Sequence, residues 1–439
     1  MSMTATTPTL IKTKAETALA DEFARVAASL PGGAGVQASR RTAMAKFAAT
    51  GLPHRRIEEW KYTDLRSLLK DVHPSAAKSS DAAIAAVVAQ VTKGIDAATF
   101  VFVGGRLLTS ADAVPAGIKV DSFAASLATG ADAVTDATSA NIDIGAAGIV
   151  ALNSAFASDG ATIEIAANAK PARPVHLVFI ATGAATVRNR IVAGAGSEAT
   201  VIESHVSVAS STRQENTLCE VTVGDGAVLH HASSCVTQAG SLHLGHTIAA
   251  LGKQAIYKPF QLTVGEGVVR QQFTVTFAGE HTSFDFAAAT LARGNGHADT
   301  TMVIHHTVPH CTSRELFKTV LDGNGRAIFQ GKVIVDKIAQ KTDGKQMAKA
   351  LMLSPTAEFD SKPELEIYAD DVACGHGSTC AEINPDMIFY CRSRGIPEAQ
   401  ARALLIDSFV GEAIDKVDSP DVRRAFSEIA TTWLAGSPV

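Results

Sequence analysis

This sequence lacks the signatures by which common enzymes are recognised. It has no Gly-x-x-x-x-Gly-Lys-[Ser/Thr], Gly-x-Gly-x-x-Gly, Gly-x-Ser-x-Gly or His-Glu-x-x-His, so the usual phosphate loop, dinucleotide loop, nucleophile elbow and zinc-protease helix are missing. Only a site assembled from distant residues stays open to it. Charge is sparse too: charged residues make up 19% and the net charge is -5. That offers no basic surface to neutralise phosphates, and nucleic acid is not an expected partner. No run reaches the ~18–20 apolar residues of a membrane span. The opening, Met1 to Lys14, has no basic patch followed by an apolar run, so a cytoplasmic protein is expected. Six cysteines, Cys219, Cys235, Cys311, Cys374, Cys380 and Cys391, do not make a disulfide framework in 439 residues. A reducing compartment would leave them as thiols, open to metal.

What the chain does have is apolar residues, 46% of the total, enough to offset the entropy of folding. It is too long for one ordinary core, and two or three structural regions are expected. Leu19, Phe23, Val26 and Leu30 recur at helical spacing up to Pro31-Gly32-Gly33. Helices are predicted again at 40–49 and 81–91, and a short strand at 100–103. From about Ala161 the pattern turns to short β-branched runs with alternation, as from Thr200 to Val208. Gly-x-Gly turns begin at Gly194, Gly224, Gly265, Gly294 and Gly323, separated by 30, 41, 29 and 29 residues. One rung of that length buries little alone, so rungs must stack into a continuous apolar column, and the length of the stretch favours a β-solenoid over a sandwich. After Cys380 helical signals return, with Pro397 in a first turn and Ser419-Pro420 as N-cap and N1. The expected organisation is a mainly helical region over 1–160, a β-helix core over 161–383 and a helical region over 384–439.

Two clusters carry metal-binding residue types. His305-His306-Thr307-Val308-Pro309-His310-Cys311 offers four donors in seven positions, without zinc-ribbon or ferredoxin spacing. For its histidines the structural reading, local hydrogen bonding on solenoid rungs, is the stronger, and His310 and Cys311 stay as secondary metal candidates. Cys374-Gly375-His376-Gly377 is different, because the glycines leave two ligand side chains accessible to an ion or another subunit. Asp370-Asp371 just upstream reads as solvated edge.

Five stretches together resemble the SufB/SufD family of SUF iron–sulfur cluster assembly: Arg56-Ile57-Glu58-Glu59-Trp60-Lys61-Tyr62-Thr63-Asp64-Leu65; Pro309-His310-Cys311-Thr312-Ser313-Arg314-Glu315; Gln340-Lys341-Thr342-Asp343; Lys362-Pro363-Glu364-Leu365-Glu366-Ile367-Tyr368-Ala369-Asp370-Asp371-Val372 with Cys374, His376 and Gly377; and Phe389-Tyr390-Cys391-Arg392-Ser393-Arg394-Gly395. The Trp-Lys-Tyr-Thr-Asp opening is that of the SufD branch. The resemblance implies a right-handed parallel β-helix between helical ends, acting as a non-catalytic scaffold subunit of a SufBCD complex. It implies pairing with a SufB-like paralogue, a homodimer in isolation, and docking of the SufC-like ATPase on the C-terminal helices. It also implies that the lone chain holds no stable cofactor, with iron or a nascent Fe–S cluster met at the interface with SufB through His376 and Cys374. Ser378-Thr379-Cys380, where the family usually has Ala-Thr-Val, and Cys391, where an aliphatic residue is common, depart from the pattern.

The C-terminal helices carry more apolar surface than one packing face requires. Residues from Ala401 to Val417, at ~100° per residue, spread over more than half the helix circumference. The docking candidates are Leu404, Leu405, Phe409, Val410 and Ile414 on the first helix, with Phe426 and Trp433 on the second. The bland reading is burial of that surface against the β-helix. Two other functions compete: a β-helix enzyme acting on polysaccharide, which would need a secretion signal and carboxylates clustered on successive rungs, and a metal-storage protein, which would need a full ligand set in one chain.

Overall fold

The computed structural model describes residues 12–73, 80–111, 113–128, 145–208 and 212–436; the reading of the first eleven residues lies outside them. The described residues form two compact units, one drawn from Met1–Val72 and Leu127–Ala157, the other from His73–Ser126 and Ser158–Val439.

The first unit is helical. Thr13 opens the helix Lys14–Val26 with a capping box: its side chain accepts from the Glu16 N–H while the Glu16 carboxylate takes the Thr13 N–H. The apolar face expected from Leu19 and Phe23 is buried, and Phe23 meets Phe156 edge-on at 5.5 Å between ring centroids. The helix predicted at 40–49 runs over Ala34–Thr50. Its Arg40 is buried and donates to the carbonyls of Ala155 and Ala157 at 3.0 and 2.8 Å. Trp60, from the Trp-Lys-Tyr-Thr-Asp string, is fully buried, and Asp64 caps the turn that follows by accepting from the Arg66 and Ser67 N–H groups. That string is therefore core and cap.

The second unit is a β-solenoid. Coils are built from two strands, mostly of ten residues, separated by two corners, and the strands fall alternately into a ten-stranded and a nine-stranded sheet. Neighbouring coils pair in parallel without slippage: Leu242 to Leu251 matches Gln214 to Val223 on one side and Val268 to Phe277 on the other, residue for residue. Constant register lets like positions stack and gives each backbone group a partner in the next coil.

The corners explain the irregular 41-residue interval. One corner is marked by a column of left-handed residues, Asn168, Gly196, Gly226, Gln254, His281, His310 and Lys341, with φ between 56° and 68°. The opposite corner holds Gly240, Gly265, Gly294 and Gly323, all at positive φ. The Gly-x-Gly series follows the first corner through Gly224 and the second from Gly265 onward, so the interval between them spans a coil and a half-turn. Non-glycine residues holding the αL corner hide the rest of the repeat.

The stack starts earlier than Ala161. Ala98–Val103, which includes the predicted short strand, pairs in parallel with Val175–Ala181. Arg106–Thr109 and Ile118–Ser122 add short antiparallel strands with which the two sheets end on this side. Inside, Val201, Val221, Leu229, Leu251, Tyr257 and Phe284 belong to one apolar column. Outside, Glu398–Ile414 and Pro420–Leu434 lie on a sheet face, where Ile406, Val410, Ile414, Phe426 and Trp433 pack with Phe260, Leu262 and Leu291. Phe260 and Phe426 stack at 5.5 Å, and Arg293 sits 4.4 Å over Trp433.

Phe426 is 2% exposed, and its truncation leaves a cavity between helix and sheet. Phe426→Ala is expected to cost about 3 kcal/mol in denaturant unfolding. An unshifted unfolding midpoint would mean that the helix is not seated there.

Candidate functional site

The solenoid ends on an unpaired edge. Among the described residues, Gly375–Ala381 is the last strand of the ten-stranded sheet and pairs on one side only, from Lys345 opposite Gly375 to Leu351 opposite Ala381. Glu358–Ile367 ends the other sheet. The second edge is blunted by Pro363, which lacks an N–H, and by Asp360, Lys362, Glu364 and Glu366. Gly375-His376-Gly377-Ser378-Thr379-Cys380-Ala381 has neither proline nor acidic or strongly basic residues, so its free backbone groups are open to pairing. Ile338, Tyr368 and Phe389 near this end are 69%, 62% and 73% exposed.

His376 sits on that edge strand opposite Gln346 and is exposed. Cys374 is half-buried beside Gly344, and burial pushes its thiol up. Cys380 is exposed on the same strand, and Cys391 is half-buried on the helix Pro385–Ser393. Asp371 pairs with Lys341 across the last corner.

The other candidates separate. Val410, Ile414, Phe426 and Trp433 are buried within the chain, Leu405 and Phe409 are half-buried, and Leu404 is exposed. Most of the helical surplus thus goes to seating the helices on the solenoid. His310 holds a left-handed corner at φ 61° and stacks on His281 at 4.8 Å. Cys311 is buried, and its thiol donates to the Gly279 and Pro309 carbonyls. His306 stacks on Phe277 at 4.1 Å and burial pulls it down to about 3, while His305 meets Asp336 at 2.9 Å. All four have architectural work there.

A polar cluster that sequence reading did not find lies inside the solenoid. Glu203 and His205 occupy the alternation phase of Val201 on one strand, and Glu215 and Cys219 that of Val221 on the next. One coil further, at intervals of 28 residues, stand His231 and His243. His205 bridges both carboxylates, Nε2 to Glu203 and Nδ1 to Glu215, each at 3.2 Å. His231 reaches Glu203 at 3.1 Å and Tyr257 at 3.0 Å. His243 reaches Glu215 at 2.8 Å and Gln271 at 3.0 Å.

Burial alone would raise Glu203, but hydrogen bonds from His205 and His231 outweigh it and hold the carboxyl well below the usual range. For Glu215 the desolvation of burial is outweighed by the charge of His205 and hydrogen bonds from His205 and His243. Burial favours a neutral His205, yet the charge of Glu215 and the hydrogen bonds to both carboxylates push it up to about 9. Burial pulls His243 down to about 4 and pushes the Cys219 thiol well up. The cluster therefore holds an imidazolium between two carboxylates.

Residues 15–177 match the family model described as the SufBD protein N-terminal region, and residues 179–409 match SUF system FeS cluster assembly, SufBD core domain. The chain belongs to the SufBD family. It is 30% identical over 382 residues to an iron–sulfur cluster assembly SufBD family protein of Synechocystis, covering 83% of this chain and 84% of that protein. It is 30% identical over 370 residues to the iron–sulfur cluster assembly protein SufD of Escherichia coli, covering 83% and 85%. Protein ABCI7, chloroplastic, of Arabidopsis thaliana is 31% identical over 209 residues, 47% of this chain and 44% of that protein. Membership assigns this SufBD protein to iron–sulfur cluster assembly by the SUF system.

The folded-state value of His205 lies above the ordinary 6.5. Its contribution to stability is complete below pH 6.5 and lost as pH rises through 9; that of His243, held low, runs the other way and fades as pH falls towards 4. Measured with a chelator present, stability should decline from pH 7 to 9.5, and His205→Gln should flatten that decline. An equally steep decline in the variant would rule out the imidazolium.

Proposed function

We propose that this chain is the SufD-type, non-catalytic scaffold subunit of a cytoplasmic SufBCD complex. The observation that carries this reading is the bare edge strand Gly375–Ala381 at the end of a solenoid whose other edge is blunted. An unprotected edge is a template for strand addition, and main-chain pairing with a similar solenoid, a SufB-like paralogue, would continue the stack. The core, 161–383, then supplies the pairing surface and the helical region, 384–439, the ATPase contact, with 1–160 as the accompanying N-terminal region. Iron or a nascent cluster is cargo at the junction, where His376 offers an imidazole nitrogen and Cys374 a thiol.

The SufC-like ATPase docks on what the C-terminal helices leave uncovered. Leu404 is 54% exposed, with Leu405 and Phe409 half-buried beside it, whereas Val410, Ile414, Phe426 and Trp433 support that surface from below. In isolation the same edge can meet its own copy, giving a homodimer. The Gly-x-x-x-x-Gly-Lys-[Ser/Thr] loop is missing from the sequence, in keeping with ATP hydrolysis residing in the partner.

His376→Ala is expected to impair cluster maturation in cells while changing fold stability by no more than about 0.5 kcal/mol, as for an exposed residue. Normal maturation would remove His376 from the site. In a pull-down, Leu404→Glu should abolish ATPase-subunit binding at unchanged fold stability. Retained binding would put the docking surface elsewhere.

A further inference from the structure

The interior cluster has features that a closed hydrogen-bond network does not require. Glu203, Cys219 and His231 place a carboxylate oxygen, a thiol sulfur and a ring nitrogen within 4.8 Å of one another, all buried. Oε1 of Glu203 lies 3.1 Å from His231 Nε2 and 3.7 Å from Cys219 Sγ. Bond lengths of ~2.0–2.3 Å around a tetrahedral ion require ligand atoms about 3.3–3.7 Å apart, close to those spacings. Beside the three residues is a cavity of about 30 Å³, also lined by His205, Cys235 and His246. That is room for a water-sized species. Nδ1 of His246, on the same cavity and buried, has no hydrogen-bond partner among the described residues.

The surroundings are those of a held ligand set. His231 is oriented through Nδ1 by the Tyr257 hydroxyl at 3.0 Å, and the second oxygen of Glu203 is fixed by His205 at 3.2 Å. Such outer contacts set ligand tautomer and direction. The strand ladder beside the cavity is also interrupted. Pro259, on the cavity wall, has no N–H, and the pairing of Ile256–Gly265 with Ser283–Ala292 skips Lys258 and Pro259.

We propose that this chain holds a resident divalent transition-metal ion of the zinc or ferrous class inside the solenoid, on Glu203, Cys219 and His231, with a fourth position facing the cavity. The site is separate from the cargo position at His376 and does not rest on partner docking. On binding, the Cys219 S–H bond breaks, a sulfur–metal bond forms and the proton leaves to solvent. The ring proton of His231 moves from Nε2 to Nδ1, where the Tyr257 oxygen accepts it. Carboxylate and thiolate then cancel the two charges of the ion.

The test is Co(II) and Zn(II) uptake by the purified full chain under reducing, anaerobic conditions. One ion per chain should survive desalting, and cobalt should show a thiolate-to-metal charge-transfer band. X-ray absorption of the zinc form should show one sulfur among nitrogen and oxygen ligands. Cys219→Ala should remove the band, Tyr257→Phe should weaken binding about 10-fold, and Cys374→Ala with His376→Ala should leave both unchanged. Failure of the intact chain to retain metal, an all-nitrogen/oxygen shell, or a band that survives Cys219→Ala would overturn the proposal. Because absorption is measured on the intact chain, a misfolded variant cannot leave the question open.

Discussion

Everything in the solenoid depends on stacking in register. A coil of about thirty residues has two strand edges and a thin interior, so its hydrogen bonds and its buried side chains are completed only by the coils on either side. The residue-for-residue match of successive strands satisfies the interior of the stack and leaves two ends to be managed. One end finishes in short antiparallel strands at Arg106–Thr109 and Ile118–Ser122. The other stops at Gly375–Ala381. The proposed contact with a partner lies on that bare edge.

The same register governs charge. Burying Glu203 and Glu215 in a dry column is costly unless each oxygen finds a donor, and removing one partner of a buried pair typically costs about 3–5 kcal/mol. Donors arrive at fixed intervals: His231 stands 28 residues after Glu203, His243 28 after Glu215, and Gln271 28 after His243. The ladder therefore extends along the stack, while His205 ties its two lines across the coil. Arg270 with Asp299, 29 residues on, repeats the device further along.

Much of this was legible in the residues and some was not. The start of the last helix was, because a proline at its first position pre-sets the backbone locally. The repeat was visible only where glycine holds a corner; Gln254, His281, His310 and Lys341 hold the same corner without it. Trp60 and its neighbours resemble a family string, yet nothing local says that Trp60 is core. The interior cluster left a faint signal, ionisable residues at the apolar phase of two strands. That Cys219 meets Glu203 and His231, 16 and 12 residues from it, follows from how coils fold back, which the local pattern does not contain. The helix surplus at Val410 and Ile414 was real, but only the packed sheet face decides whether it is spent inside or outside.

Backbone pairing along a bare edge carries little information about the partner, because every chain offers the same N–H and C=O groups. If the strand at Gly375–Ala381 joins another solenoid, discrimination has to come from side chains. Along that strand His376, Ser378 and Cys380 share one face, and Gly375, Gly377 and Thr379 the other. The second face is nearly bare and lets a partner approach closely. The first presents a hydroxyl with an imidazole and a thiol, donors that recognise a metal as readily as a protein. An edge that a second copy can satisfy by backbone alone needs such a difference for a paralogue to win. On this reading, the residues that choose the partner and those that meet the cargo are the same few, and selection for one constrains the other.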